Sequence, residues 1–505
     1  MSEPLNRQPV PTESGLVAGT PAKLPGVTVF KGIPYAAAPS GPLRWRPPQP
    51  PAPWTGVRNA ADFGPVCPQT PRGQKLRMSE DCLSLNVWTA AEPSDRTPVL
   101  VWIHGGRFIM GAGSEPLYDG AALAGAGLVV VTLNYRLGVL GFLATPELSE
   151  ESEHGSSGNY GLLDQIAALR WVRDNIAAFG GDPDRVTIAG QSAGGACVQD
   201  LMYSPPARGL FHGAIAESGA RHPRDPSLAY LASSYRTREQ AEAEGTGYLQ
   251  DLGVATLEEL RALPLRDLLR GNDADQAGGG HQPPLFRPVR DGWVFPHSYA
   301  EALALGTQAD IPVITGTNKD EDGASPKPHV SLAEYTASAR RHLRDNADDY
   351  LALYPASTDA EAGRQSSEAA RDHARTSTWL WATEWAKHAS SPVYTYYWTH
   401  VPPGPDAESA GAYHGSEINY FLNNLYATDR PWTAEDHRIA ETVSRYVVNF
   451  AATGDPNGPA LPQWVPADPA APATMEIGDR FGPIPAAEPP RLDMHRRLMA
   501  DQRAW

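Results

Sequence analysis

In Arg185-Val186-Thr187-Ile188-Ala189-Gly190-Gln191-Ser192-Ala193-Gly194-Gly195-Ala196-Cys197-Val198-Gln199-Asp200-Leu201-Met202, an apolar, β-branched run passes into a helix-forming one across a serine between glycines. The first five residues read as a short buried strand. Gly195 to Met202 reads as a helix. A serine at a strand-to-helix corner, with glycine two positions to either side, matches the nucleophile elbow. The turn there is sharp and strained, small residues let the backbones pass, and the hydroxyl is left exposed. The pattern G-x-S-x-G alone is weak in a chain this long with 47 glycines. The strand before it and the helix after it give it meaning.

A serine hydroxyl needs a base to take its proton, and the base needs a third group to orient it. In α/β-hydrolases the chain order is serine, acid, histidine, so both partners are sought downstream. Ile311-Pro312-Val313-Ile314-Thr315-Gly316 reads as a buried strand, followed by the polar loop Thr317-Asn318-Lys319-Asp320-Glu321-Asp322-Gly323. Sites in open parallel sheets lie at such C-terminal ends. Glu321 is taken as the acid, although Asp320 and Asp322 fit on composition. Of 14 histidines, eight lie beyond Glu321. Val393-Tyr394-Thr395-Tyr396-Tyr397-Trp398 reads as another strand. The loop after it reaches Gly411-Ala412-Tyr413-His414-Gly415-Ser416-Glu417, so His414 is taken as the base, with His400 as its competitor.

The developing oxyanion needs backbone N–H donors, each worth about 3–4 kcal/mol of barrier. The strand Val99-Leu100-Val101-Trp102-Ile103 runs into His104-Gly105-Gly106-Arg107-Phe108. Glycines at such a point let backbone approach a ligand closely. Gly105, Gly106 and Arg107 are therefore read as one half of an oxyanion hole, and the N–H of Ala193 as the other.

With these elements in place the chain resembles the type-B carboxylesterase family, which includes cholinesterases and bacterial para-nitrobenzyl esterases. Further stretches carry the likeness: Phe30-Lys31-Gly32-Ile33-Pro34-Tyr35-Ala36 with Leu43-Arg44-Trp45-Arg46-Pro47-Pro48, and Ser79-Glu80-Asp81-Cys82-Leu83-Ser84-Leu85-Asn86-Val87. Asn134-Tyr135-Arg136-Leu137-Gly138 and Gly158-Asn159-Tyr160-Gly161-Leu162-Leu163-Asp164-Gln165 add two more. The resemblance implies an α/β-hydrolase fold and a serine carboxylesterase with Ser192, Glu321 and His414 as triad. It implies oxyanion donors at Gly106, Arg107 and Ala193, supporting roles for Ser218 and Glu417, and a possible Cys67–Cys82 disulfide.

Three departures narrow this reading. Gln191 stands where cholinesterases carry glutamate, so a charge that would attract a cationic alcohol is absent. The segment between Cys67 and Cys82 is short and has no aromatic residue for a cation–π contact. A cholinesterase is disfavoured. Arg107 replaces the family's usual glycine or alanine; it either turns aside into a salt bridge or reads a carboxylate on the substrate. Arg107, Phe108, Gln191 and Ala324 are the candidate substrate contacts, with Phe286 and Trp293 as further apolar walls; Phe108, Phe286 and Trp293 are read as core residues first and walls second. Asp322, Gly323, Ala324, Ser325 and Pro326 predict a pocket roomy enough for a bulky acyl or alcohol group.

The 505 residues carry a formal net charge of −16, which disfavours nucleic acid and anionic membranes as partners. The expected partner is a small-molecule ester. Neither H-E-x-x-H nor C-x-x-C is present, and no metal or organic cofactor is expected. The first seven residues lack the apolar core of a secretory signal, and the longest apolar stretch, Ala121 to Leu133, is too short to span a bilayer. A cytoplasmic location without membrane insertion is expected, while a secreted protein with its signal removed stays open. Oligomeric state cannot be read from the sequence.

Alternating strand and helix patterns predict a large, mainly parallel sheet covered on both faces. A helix is predicted from Gly161 to Phe179, ended by Gly180-Gly181, and another from Glu435 to Ala452, ended by Gly454. Residues 1–505 are read as a single catalytic domain with helical insertions over the site near 237–272 and 331–390. The glycine-rich loop Ala277 to Pro284 is placed beside the entrance. The same machinery could act on carbamate, amide or thioester bonds. A non-catalytic binding or adhesion relative is disfavoured, because every triad position is filled.

Overall fold

The computed structural model describes residues 8–70, 76–229, 231, 234–271, 283–321, 323–324 and 330–505. Asp322, Ser325, Pro326 and most of the predicted entrance loop, residues 277–282, lie outside them.

One eleven-stranded sheet runs through the described chain. In chain order its strands are β1 (Thr20–Pro21), β2 (Thr28–Pro34), β3 (Ser84–Thr89), β4 (Thr97–Ile103) and β5 (Val129–Leu133). Then come β6 (Gly181–Gln191), β7 (Gly213–Glu217), β8 (Val313–Asn318), β9 (Val393–Trp398), β10 (Ala473–Ile477) and β11 (Phe481–Pro485). Their spatial order is β11-β10-β9-β8-β7-β6-β4-β5-β3-β2-β1. The seven strands from β10 to β5 pair in parallel. Both margins are antiparallel, so the sheet is mixed around a parallel centre.

The period-2 alternation of side chains explains why the sheet is covered twice. Along β4, Val99, Val101 and Ile103 enter one apolar core, together with Ile166, Leu169 and Val172 of the helix Tyr160–Asn175. Leu100 and Trp102 enter the opposite core, under Ile439, Val443 and Val447 of the helix Ala434–Thr453. The first helix was expected to reach Phe179. Its last turn tightens into a 3₁₀ segment, Ile176–Phe179, ended by Gly180 at φ 85°. Ala121 to Leu133 divides into a short helix and β5. No helix among the described residues is long and apolar enough to cross a membrane.

The two predicted insertions are broken into pieces. The first holds Arg238–Asp251, Leu257–Ala262 and Leu265–Leu268; capping boxes at Thr237 and Thr256 start the first two. The second holds Leu332–Leu343, Ala347–Leu353 and the long helix Asp359–Trp385. Trp381 and Trp385 of that helix are buried in the main core, so it covers the sheet.

Candidate active site

The strands β9, β8, β7, β6 and β4 are neighbours, and every predicted catalytic or oxyanion residue follows the C-terminal end of one of them. That placement brings the candidates to one rim of the sheet, the rim at which open parallel sheets place their sites.

Ser192 links β6 to the helix Ala193–Tyr203 with φ 60° and ψ −124°, a backbone region costing about 1–3 kcal/mol. Its N–H donates to the Glu217 carbonyl at 2.9 Å, and its carbonyl accepts the Ala196 N–H at 2.9 Å. The side chain makes no capping bond, so the hydroxyl is not spent on the helix. The flanking glycines are needed for backbone passage. A Cβ on Gly194 would lie 2.1 Å from the Ile103 carbonyl oxygen, and one on Gly190 would lie 2.6 Å from the Gly194 backbone.

Glu321 follows β8. Its Oε1 accepts the Asn318 N–H at 2.9 Å and the Ser218 hydroxyl at 2.6 Å. Its Oε2 accepts a hydrogen bond from His414 Nδ1. Burial alone would raise the carboxyl, but the charge and hydrogen bond of His414, Arg221 and the Ser218 hydroxyl bring it down to about 2. Desolvation pushes His414 down, while the Glu321 charge, that hydrogen bond and Glu417 hold it above the ordinary histidine value. With Nδ1 committed to Glu321, Nε2 is left to accept a proton, with the Gln191 amide nitrogen 3.3 Å from it. The His414 side chain stays 41% exposed, open to an approaching ligand.

The competing assignments find other partners. Asp320 is held by Arg371 Nη2 at 2.6 Å and by the Ala412 N–H at 2.9 Å. His400 lies between Asp436 at 2.9 Å and Asp479 at 3.0 Å.

The loop after β4 lies against the serine. A Cβ on Gly105 would stand 2.6 Å from the Gln191 carbonyl oxygen and 3.3 Å from Ser192 Cβ. Gly106 (φ 109°), Arg107 (φ 58°) and Phe108 (φ 61°) all have left-handed backbone, and the Gly106 carbonyl accepts the N–H groups of Ile109 and Met110. This folds the loop back over the elbow. His104 anchors it: Nδ1 donates to the Gly105 carbonyl at 2.8 Å, and the ring stacks on Tyr135, whose hydroxyl donates to the His104 carbonyl. Burial lowers His104 to about 4, so the ring is neutral at pH 7. Ala193 opens the following helix, where first-turn N–H groups have no intrahelical acceptor.

The expected substrate contacts divide. Arg107 is half-buried beside the elbow, and the half-buried Ala324 donates its N–H to Ser409 at 3.3 Å. Phe108 is 0% exposed and packs edge-on against Phe142, so it belongs to the core and lines no open surface. Phe286 is buried against Tyr248, and Trp293 stacks on His154 at 3.6 Å. Gln191 is buried too, with its amide nitrogen 3.3 Å from His414 Nε2.

Two further residues matter that sequence reasoning gave no role. Asn318 ties the two loops together, donating its amide to the Tyr413 carbonyl at 2.8 Å and to Glu417 Oε2. Its position as the last residue of β8 was the available signal. Glu217, which precedes Ser218, lies buried near Glu417. Among the described residues no group of three histidine, cysteine or carboxylate side chains is placed to hold a metal ion.

A model of the carboxylesterase family matches residues 6–488. A para-nitrobenzyl esterase of Bacillus subtilis (strain 168) is 38% identical over 482 residues, covering 90% of this chain and 92% of its own. A fumonisin B1 esterase of Sphingopyxis macrogoltabida is 36% identical, covering 90% and 83%. Among solved structures, a PNB esterase superposes with a TM-score of 0.80 at 35% identity, covering 97% of this chain and 99% of the other. A carboxylesterase of Geobacillus stearothermophilus gives 0.79 at 34%, with the same coverage.

Proposed function

The chain belongs to the carboxylesterase family and is a serine carboxylic-ester hydrolase of α/β-hydrolase fold, and on that premise we propose that Ser192, His414 and Glu321 perform its chemistry. Ser192 Oγ attacks the ester carbonyl while His414 Nε2 takes its proton. The oxyanion is received by the N–H groups of Gly106, Arg107 and Ala193, while the Gly105 N–H turns to the Tyr118 hydroxyl instead. When the C–O bond breaks, His414 returns the proton to the departing alcohol. Water then attacks the acyl-serine with the same base, and Ser192 is released with a carboxylic acid. Glu321 fixes the tautomer and stabilises the imidazolium. The observation that carries this reading is the hydrogen bond from His414 Nδ1 to a Glu321 that is itself held by Ser218 and Asn318.

Arg107 would set acyl preference by reading a carboxylate on the substrate. Gly323 and Ala324 would leave room for bulky groups. We treat the whole chain as one catalytic domain acting in the cytoplasm on a small-molecule ester. The Cys67–Cys82 disulfide weighs against that compartment.

Hydrolysis of a chromogenic short-chain ester by wild type and Ser192→Ala, side by side, tests the mechanism. Loss of about 10⁴-fold or more in kcat with the fold retained is expected. A variant that keeps its rate removes Ser192 from the reaction.

A further inference from the structure

Behind the acid side of the site two glutamates are buried together. Glu217 ends β7 and is 1% exposed; Glu417, in the loop after His414, is 0% exposed. Glu217 Oε2 and Glu417 Oε1 are buried without a hydrogen-bond partner among the described residues. The buried Tyr396 hydroxyl beside them is likewise unpartnered, and both glutamates act on it. Glu417 Oε2 accepts the Asn318 amide.

Two carboxylates buried in one place do not both stay ionised. Burial raises both, and the charge of Glu417 raises Glu217 further. The groups facing the pair are Glu321 and His414 from the loops above, Tyr396 from β9, Tyr413, and Tyr118, with Glu115 beyond it. Arg221 acts on Glu321 and His414 instead.

We propose that Glu217 and Glu417 hold one proton between them, on Glu217, and thereby keep a single negative charge behind the triad as positioning residues for His414. The Asn318 amide selects Glu417 as the charged partner, because a donor favours the ionised form. That charge stabilises the imidazolium formed in each half-reaction, and the neutral Glu217 spares the site a second charge. The catalytic part of the inference rests on His414 being the base; the shared proton does not.

Glu217→Gln and Glu417→Gln, each in the full chain, test it by two readouts. In the infrared difference spectrum of wild type minus Glu217→Gln at pH 7, a protonated-carboxyl C=O band is expected, since glutamine replaces a neutral carboxyl. In the pH profile of kcat, Glu417→Gln moves the acid limb down by about one unit, while Glu217→Gln does not lower it. Absence of the carboxyl band, equal downward shifts in both variants, or a Glu217→Gln chain that fails to fold would each overturn the proposal. Should Glu417→Gln not fold, the Glu217→Gln spectrum decides alone. The infrared result needs no turnover, so it stands or falls apart from the outcome with Ser192→Ala.

Discussion

At position 191 a neutral carboxamide faces the His414 ring, 3.3 Å from Nε2, the nitrogen that must accept the serine proton. A carboxylate there would favour the imidazolium and raise His414 beyond the effect of Glu321 and Glu417. The base works only when neutral, so Gln191→Glu is expected to move the acid limb of kcat/KM upward by roughly one pH unit. Activity near pH 6 should fall about tenfold while the alkaline rate is kept. An unmoved limb would separate residue 191 from the base. Arg107→Ala is the companion experiment. A charge-assisted hydrogen bond to a substrate carboxylate is worth about 1.5–3 kcal/mol, so the rate on half-esters with a free acyl carboxylate should fall roughly 10–100-fold. Neutral esters should be spared, and equal losses on both would remove Arg107 from substrate reading. Ser192, Glu321 and His414 could be nominated from the chain because each follows a strongly apolar run with glycine or polar residues after it. Phe108, offered as a pocket wall or a core residue, is in the core, and Gln191 turns to His414. Which way a side chain turns at a positive φ depends on packing several strands away, and no local pattern carries that.

The helix Ala193–Tyr203 shows the same limit one level up. Its existence and its start were readable from the glycines, but not that all eleven of its residues, Asp200 included, would be buried. Asp200 Oδ1 accepts the Tyr299 hydroxyl at 3.0 Å, and Oδ2 has no partner among the described residues. Burial raises the carboxyl to about 8. The sign follows from linkage. The unfolded chain releases this proton near pH 4 and the folded one keeps it to about pH 8. Stability from this group is therefore lost as pH climbs between those values and is lowest above them. Asp200→Asn keeps an acceptor for Tyr299 and removes the titration. It is expected to stabilise the chain by about 1–3 kcal/mol at pH 8 and by almost nothing at pH 4. Denaturant midpoints at the two pH values check this, and a variant less stable than wild type at pH 8 contradicts it. Helix and strand ends were off by one to four residues for a related reason. The β6 strand extends back to Gly181 because its pairing with β4 begins there, a long-range contact that its own residues do not announce.

Across the whole molecule, the parallel centre of the sheet was readable from alternating apolar strands and amphipathic helices. Its antiparallel margins were not, since pairing direction depends on how the connections run. The cysteines pose the remaining question at this scale. Cys67 and Cys82 are joined, with Cα atoms 5.1 Å apart, a spacing that a disulfide accommodates without backbone movement. Cys197 is buried in the core, burial pushes its thiol up, and Gln165 donates to its sulfur. Closing a loop of 15 residues stabilises a chain by about 3 kcal/mol. Reduction should lower stability by that order without releasing the triad, whose strands do not include either cysteine. Compartment then determines which form exists, because reducing cytosol keeps such pairs open. If the cytoplasmic placement holds, alkylation of intact cells followed by denaturation finds three thiols. The purified, air-oxidised protein should show one, reactive only after unfolding. One thiol in the cell-trapped sample would move the enzyme to an oxidising compartment, and three in the oxidised protein would mean that the bond does not form.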